Sequence, residues 1–401
     1  MKKYIFLTNT IGFVGGSQLY ISRKVEYLRK QNWDVEVFYE TDEGAMIENL
    51  KPFLQNHLQI LSVPFELVSR KQKEKILELF TPCDCCIIES HLIGYSVWGE
   101  YVAKHIGAKH IVYFLCEQFP LLDNSMLDFL KFKLKQNLLY GITSKSIPAL
   151  LGENFDGTPY GLLAVGCHAS VGGIDSRIEQ LPKADYTILS LGRLNKPYIP
   201  EMLASVIEFA KSHKECKINF IIIGDGMSDK LVLSPFVSVN NVKVLLAGSL
   251  FPIPLNAFLL SDVAIATAGC VKIASECDVP TIVVDGNDYK AIGVYDYTTS
   301  NILFRDFDEP PLKIEDVLED VLVKKKYSSK GLSKFEKQEL DYSAHQVIID
   351  QEFENEYYDV SDICNSKSWS IERFVAYSCG WKVYIKYMRL KSVVKKFLKR
   401  K

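Results

Sequence analysis

The stretch DVAIATAGCVKIASECDVPTIVVD, Asp262 to Asp285, decides the fold. Val263 to Ala266 is a short apolar run bounded by small or polar residues, which suits a strand buried on both faces. Thr267, Ala268 and Gly269 make a tight turn, and Cys270 to Cys277 is long enough for about two helical turns at ~3.6 residues each. Asp278 breaks that helix, and Pro280 to Val284 gives a second buried strand. A strand, a Gly-containing turn and a short helix place backbone N–H groups at the strand's carboxyl end, where phosphate is attracted without a cation. Glu276 stands in the helix or at its end, where a carboxylate can accept hydrogen bonds from ribose hydroxyls. The same pattern also describes an ordinary βαβ unit whose helix start is capped by water.

Similar units repeat on both sides. In the first half, Tyr4 to Asn9 reads as a strand running into Gly15-Gly16, followed by a helix with Leu19, Val25 and Leu28 apolar and Arg23, Lys24, Glu26, Arg29 and Lys30 charged. Gly15 and Gly16 let a bound group approach the backbone at the sheet's carboxyl edge. They do not complete a GxGxxG fingerprint, which disfavours a nicotinamide cofactor. Strands follow at Asp34 to Tyr39, Asp84 to Glu89 and Lys109 to Leu115. His91 and Glu117 are expected just past strand ends, where open α/β sheets bind ligands. Gly172 to Pro182 reads as a linker.

The second half resumes with a strand at Tyr186 to Leu191, then Gly192-Arg193-Leu194-Asn195-Lys196 and a helix near Pro200 to His213. Asn219 to Ile223 is a strand ending in Gly224-Asp225-Gly226, and Val242 to Ala247 another. Arg193 and Lys196 at the ligand-facing end can neutralise a diphosphate as it departs. Gly224 and Gly226 allow close approach in the next loop, and Gly269, Cys270 and Val271 add helix amides. Beyond Asp285 the pattern loosens into helices at Glu315 to Lys326, Ser333 to Glu352 and Ser366 to Lys401. Asp306-Phe307-Asp308 spells DxD, the metal–diphosphate motif of some sugar transferases, but stands late and reads as a loop.

Composition sets the bounds. The 401 residues suit two domains, and 48% hydrophobic with 24% charged residues describes a globular chain with a full core. The apolar start at Tyr4 to Leu7 is too short for a signal peptide, and no window is long enough to span a bilayer, so a cytosolic protein is expected. Ten cysteines and seven histidines lack zinc-site spacing, so reduced thiols and no metal are expected. Lys382 to Lys401 holds nine Lys or Arg and no acid, so the net charge of −2 leaves −11 on the rest. A basic amphipathic tail on an acidic body points to an anionic surface, including the inner face of a membrane. No nucleic-acid partner is indicated.

Gly15-Gly16, Gly192-Arg193-Leu194 with Lys196, Gly224-Asp225-Gly226, and Ala274-Ser275-Glu276 before Val279-Pro280-Thr281-Ile282 together resemble the two-domain GT-B glycosyltransferases, most closely family 4. The resemblance covers most of residues 1 to about 305. It implies an α/β chain of two Rossmann-like domains facing across a cleft, with a C-terminal helix crossing back to the N-terminal domain. The expected division is 1–172 (acceptor side: Gly15, Gly16, Glu117), 183–355 (nucleotide sugar) and 356–401 (helical segment and basic tail). It implies a retaining, metal-independent transfer from a nucleotide sugar, with a UDP-linked donor as first expectation and no cofactor, to a glycan or lipid-linked acceptor in surface polysaccharide or glycoconjugate synthesis. Arg193, Lys196 and His91 would be catalytic. Gly224, Gly226, Gly269, Cys270, Val271 and Glu276 would hold the donor. Glu276 matches the second Glu of the family's EX7E motif, whereas Ala268 stands where the first should be. That departure keeps open a non-catalytic GT-B-like subunit that binds nucleotide or glycan and supports a partner enzyme. A CDP-linked polyol-phosphate transferase is a third reading.

Overall fold

The computed structural model describes residues 2–12, 14–41, 44–45, 47–115, 122–163, 171–327, 342–363 and 371–398. The chain forms two units, Met1–Val165 with Asp341–Lys401, and Gly166–Leu340.

The first unit is built on strands β1 (Lys2–Thr10), β2 (Asp34–Thr41), β3 (Cys85–His91), β4 (Lys109–Phe114), β5 (Leu139–Gly141) and β6 (Gly161–Leu162). They pair in the order β2-β1-β3-β4-β5-β6, every neighbour parallel. Parallel strands need crossovers, supplied here by α1 (Gly16–Lys30), α2 (Arg70–Leu77), α3 (Ile93–Ile106), α4 (Asn124–Lys135) and α5 (Ser146–Leu151). Ile5, Leu7, Ile88, Val112 and Phe114 are buried in the shared core with Trp98, Phe129 and Leu130 of the helices. Asp123 caps α4, its carboxylate accepting from Met126 N at 2.9 Å. Between β2 and α2 the chain makes three 3₁₀ segments, Glu48–Asn56, Gln59–Ser62 and Phe65–Leu67, where the sequence suggested no regular element. Pro52, which lacks an amide proton, lies inside the first.

The second unit carries β7 (Tyr186–Leu191), β8 (Ile218–Ile223), β9 (Val242–Gly248), β10 (Val263–Ala266), β11 (Thr281–Val284) and β12 (Ala291–Val294), in the order β12-β11-β10-β7-β8-β9. All pairs are parallel except β12, which runs antiparallel beside β11 and was hidden in the stretch after Asp285. Its helices are α6 (Ser176–Glu179), α7 (Ile199–Ser212), α8 (Asp229–Leu233), α9 (Leu255–Leu259), α10 (Gly269–Glu276) and α11 (Ile314–Leu318). The stretch read as a linker is packed onto this unit. Gly172 N donates to Ile253 O at 2.9 Å, and Asn256 Nδ2 donates to Asp175 O at 2.9 Å. Asp285, buried at the end of β11, accepts from Asn287 N at 2.7 Å and Arg305 N at 2.8 Å, which fastens the following loop.

The chain then returns to the first unit through α12 (Ser343–Asp350), α13 (Ile371–Cys379) and α14 (Trp381–Leu398). Lys109 Nζ of β4 donates to Ile348 O at 2.6 Å and Gln351 O at 2.5 Å. Tyr358 N donates to Glu100 Oε1 at 2.7 Å. Residues 333–341 and 366–370, expected to be helical, lie outside the described residues. The long final helix is in fact two, broken at Gly380, whose φ of 82° suits glycine. Both units are therefore Rossmann-like, and the segment that belongs with the first begins at Asp341 rather than at residue 356.

Candidate functional site

Each sheet has one point where successive connections leave in opposite directions, and in open α/β sheets ligands bind there, beyond the strands' carboxyl ends. In the second unit that point lies between β7 and β10. The loop after β7 carries Gly192 to Lys196, and β10 leads through Thr267 and Ala268 into α10.

Three strand ends are knitted together. Gly192 N donates to Ile223 O at 3.0 Å, Leu194 N to Asp225 O at 2.8 Å, and Gly224 N to Gly248 O at 3.0 Å. A Cβ on Gly192 would stand 3.7 Å from Cys270 Sγ, so the first turn of α10 adjoins the β7 loop. One on Gly226 would stand 3.2 Å from Asn195 Cγ. Arg193 is exposed and Lys196 half-buried on this loop. Two cations, two glycine loops and a helix start thus share one edge, an arrangement able to receive an anion.

The start of α10 has its own peculiarities. Ala268 has φ 55° and ψ −134°, a conformation costly for a residue with a Cβ, and its N donates to Ile302 O at 2.6 Å. Thr267 Oγ1 is buried with no hydrogen-bond partner among the described residues. Such an orphan costs about 1–3 kcal/mol unless something meets it. Val271 departs from expectation: its amide donates to Ala268 O at 3.1 Å, so it offers no open donor, and its side chain is buried. Gly269 and Cys270 open the helix. Glu276 is exposed at the opposite end of α10, roughly 10 Å of rise away. The structure brings Arg193's loop, Gly224, Gly226 and Cys270 together and sets Glu276 apart, within electrostatic reach of Tyr295.

In the first unit the reversal lies between β1 and β3. Gly15 caps α1 just after β1, and Gly16 opens that helix with no neighbour within 4 Å of a Cβ built there. Glu117 lies outside the described residues. His91 is not past the strand but is its last residue, and only 2% exposed. Its ring sits among Phe6, Tyr20 and Tyr113, with Nε2 on Glu89 Oε1 at 2.8 Å. The other Glu89 oxygen takes Lys24 Nζ and the Tyr4 hydroxyl, each at 2.5 Å. Burial alone would push the Glu89 carboxyl up. The Lys24 charge and the His91 hydrogen bond outweigh it and hold the group well below the usual carboxylate range. His91 is therefore enclosed at the end of β3, with Nδ1 meeting no hydrogen-bond partner among the described residues.

The Lys24–Glu89–His91 network escaped the sequence reading because Lys24 looks like one more surface charge on an amphipathic helix. Its only trace was Glu89 directly after the apolar run Cys85 to Ile88. A second buried set aligns Ser90, His110 and Glu100 in the order of a nucleophile triad, at 2.9 and 2.7 Å, with Lys133 2.6 Å from Glu100. All four are fully or almost fully enclosed, which denies substrate access. Asp306 N and Asn301 Nδ2 donate to Glu309 Oε2 at 2.6 and 2.7 Å, closing the DxD stretch into a turn. Among the described residues no group of three or more His, Cys, Asp or Glu is placed to hold a metal ion.

No family model matches the chain, and no curated protein matches it. Similar solved structures include a glycosyltransferase from Rickettsia africae at 14% identity, covering 70% of this chain and 79% of that one with a TM-score of 0.49. A point mutant of S. aureus TarM in complex with fondaparinux, α-GlcNAc-glycerol and UDP is 10% identical, covering 80% and 92%, with a TM-score of 0.48. HepE from Anabaena in complex with UDP is 14% identical, covering 71% and 80%, with a TM-score of 0.44.

Proposed function

We propose that this chain is a glycosyltransferase that moves a sugar from a nucleoside diphosphate donor to a glycan or lipid-linked acceptor. One observation carries the reading. At the reversal point of the second sheet, the Arg193–Lys196 loop, the tight Gly224 loop and the start of α10 meet at one edge. Arg193 and Lys196 would bind the diphosphate and neutralise its charge as the sugar–oxygen bond breaks, a contribution that grows in the transition state. Gly269, Cys270 and the Thr267 hydroxyl would complete the phosphate contacts. Glu276 would take the ribose, with the nucleotide lying along α10. The donor would be UDP-linked, the transfer retaining and metal-independent, and the acceptor part of a surface polysaccharide or glycoconjugate. His91 acts in this scheme only by fixing the carboxyl end of β3, and Gly15 and Gly16 face the acceptor.

Calorimetric titration with UDP, GDP and CDP, run beside a donor-hydrolysis assay, tests it. Micromolar binding of one diphosphate with measurable turnover is the expected result; no binding of any of them removes the proposal. A second reading is favoured by Ala268, which puts a methyl where the family resemblance places a sugar-binding carboxylate. In it the chain binds nucleotide and supports a partner enzyme, and tight binding without turnover would select it. Preference for CDP would point to polyol-phosphate transfer.

A further inference from the structure

The last two helices form an antiparallel hairpin about Gly380, held by an ion pair between Lys391 and Glu372. Its inner side enters the core of the first unit through Ala376, Tyr384 and Ile385. Its outer side is unusually apolar for a surface. Ile371 is 69% exposed and Phe374 64%, three residues apart on one face of α13, and Tyr377, 63% exposed, ends that row with its hydroxyl donating to Glu66 O at 2.8 Å. On α14, Val383, Leu390 and Val394 are exposed at i, i+7 and i+11, again one face, and Leu390 is 65% exposed. Lys382, Lys386 and Arg389 stand exposed immediately beside that second row. The nearby acids are occupied: Glu372 by Lys391, while Glu66 lies beside Arg373.

We infer that the α13–α14 hairpin docks the protein on an anionic lipid surface. Apolar side chains flanked by cations, with no competing acid, are what the boundary between headgroups and acyl chains accepts. A second copy of this chain is disfavoured as occupant, because a two-fold contact would set the cation row against itself. The inference does not depend on the reaction, since docking is read without substrate.

Co-sedimentation of the full chain with vesicles decides it, using phosphatidylcholine alone and with about 30% phosphatidylglycerol. The expected result is binding to the anionic vesicles alone, largely reversed by about 0.5 M salt. Lys382→Gln/Lys386→Gln/Arg389→Gln should weaken it on the order of 100-fold, at the per-cation contribution known for such surfaces. Ile371→Ser/Phe374→Ser should weaken it at least about tenfold from lost apolar insertion. All five side chains are exposed, so thermal unfolding and donor hydrolysis in solution should stay unchanged. Failure to bind anionic vesicles overturns the inference, as does equal binding by both variants. Sedimentation equilibrium showing a dimer that Ile371→Ser/Phe374→Ser abolishes would instead make the occupant a second copy.

Discussion

Gly224 and Gly192 approach so closely that a Cβ on Gly224 would lie 1.8 Å from the Gly192 carbonyl oxygen. Gly224 also has φ 159°, at the edge of the region that side chains rarely enter. Gly224→Ala must therefore push the β7 and β8 loops apart. Backbone strain alone costs about 1–3 kcal/mol, before the overlap is relieved. A lower unfolding temperature and weakened diphosphate binding are expected together. A variant that keeps wild-type affinity would show that the loops' closeness is irrelevant to the ligand.

Lys196→Ala and Arg193→Ala each remove one cation from the same loop without touching the sheet. If these groups act on the departing diphosphate, kcat should fall on the order of 10²–10³-fold while the fold survives. Steady-state kinetics with circular dichroism as the fold control checks this. Unchanged turnover in both variants would remove the assigned roles.

Strands such as β8 and β10 were legible because the runs Phe220 to Ile223 and Val263 to Ala266 are unbroken and apolar, as strands buried on both faces are. The adjoining Gly192 and Gly224 loops were legible for the same reason: once strand ends are known, glycines just beyond them stand out. The antiparallel β12 was not, since four residues after a turn carry too short a pattern to fix direction. His91 was placed one step too far out because nothing local tells the last strand residue from the first loop residue. Its enclosure depends on aromatic rings from three other elements, and that information is non-local.

Ala268 sits at φ 55° and ψ −134° directly before α10. Ala268→Gly should relieve that strain by more than it adds in unfolded-chain entropy, for a net gain of about 1 kcal/mol. A raised unfolding midpoint in urea is the expected outcome. A lowered midpoint would mean that the methyl group's packing outweighs the conformational penalty.

Lys24 and Glu89 are a fully buried pair, so removing one leaves the other without its opposite charge. Lys24→Met should cost about 3–5 kcal/mol, whereas Lys24→Met/Glu89→Leu should recover most of it, because the uncompensated charge is then gone. Urea unfolding of wild type, single and double variants closes the comparison. An equally unstable double variant would show that the pair's hydrogen bonds to His91 and Tyr4 matter more than its charges.

His110 gives the first unit a specific acid sensitivity. Burial pushes its imidazole from 6.5 down to about 4, with the Glu100 hydrogen bond opposing and the Lys133 charge assisting. The folded state therefore holds the ring neutral while the unfolded chain takes up a proton below pH ~6.5. The stability in question is present in full above that pH. It drains away as pH falls towards about 4, by on the order of 3 kcal/mol in total. Glu100, held below the ordinary carboxylate range against its own burial by His110 and Lys133, adds a loss at still lower pH. Thermal unfolding followed from pH 7 to pH 4 in wild type and in His110→Gln separates the two contributions. The variant should start less stable and decline less over that interval, because Gln takes up no proton in the unfolded chain. Parallel decline in both proteins would place the acid sensitivity elsewhere, with the carboxylates as the remaining source.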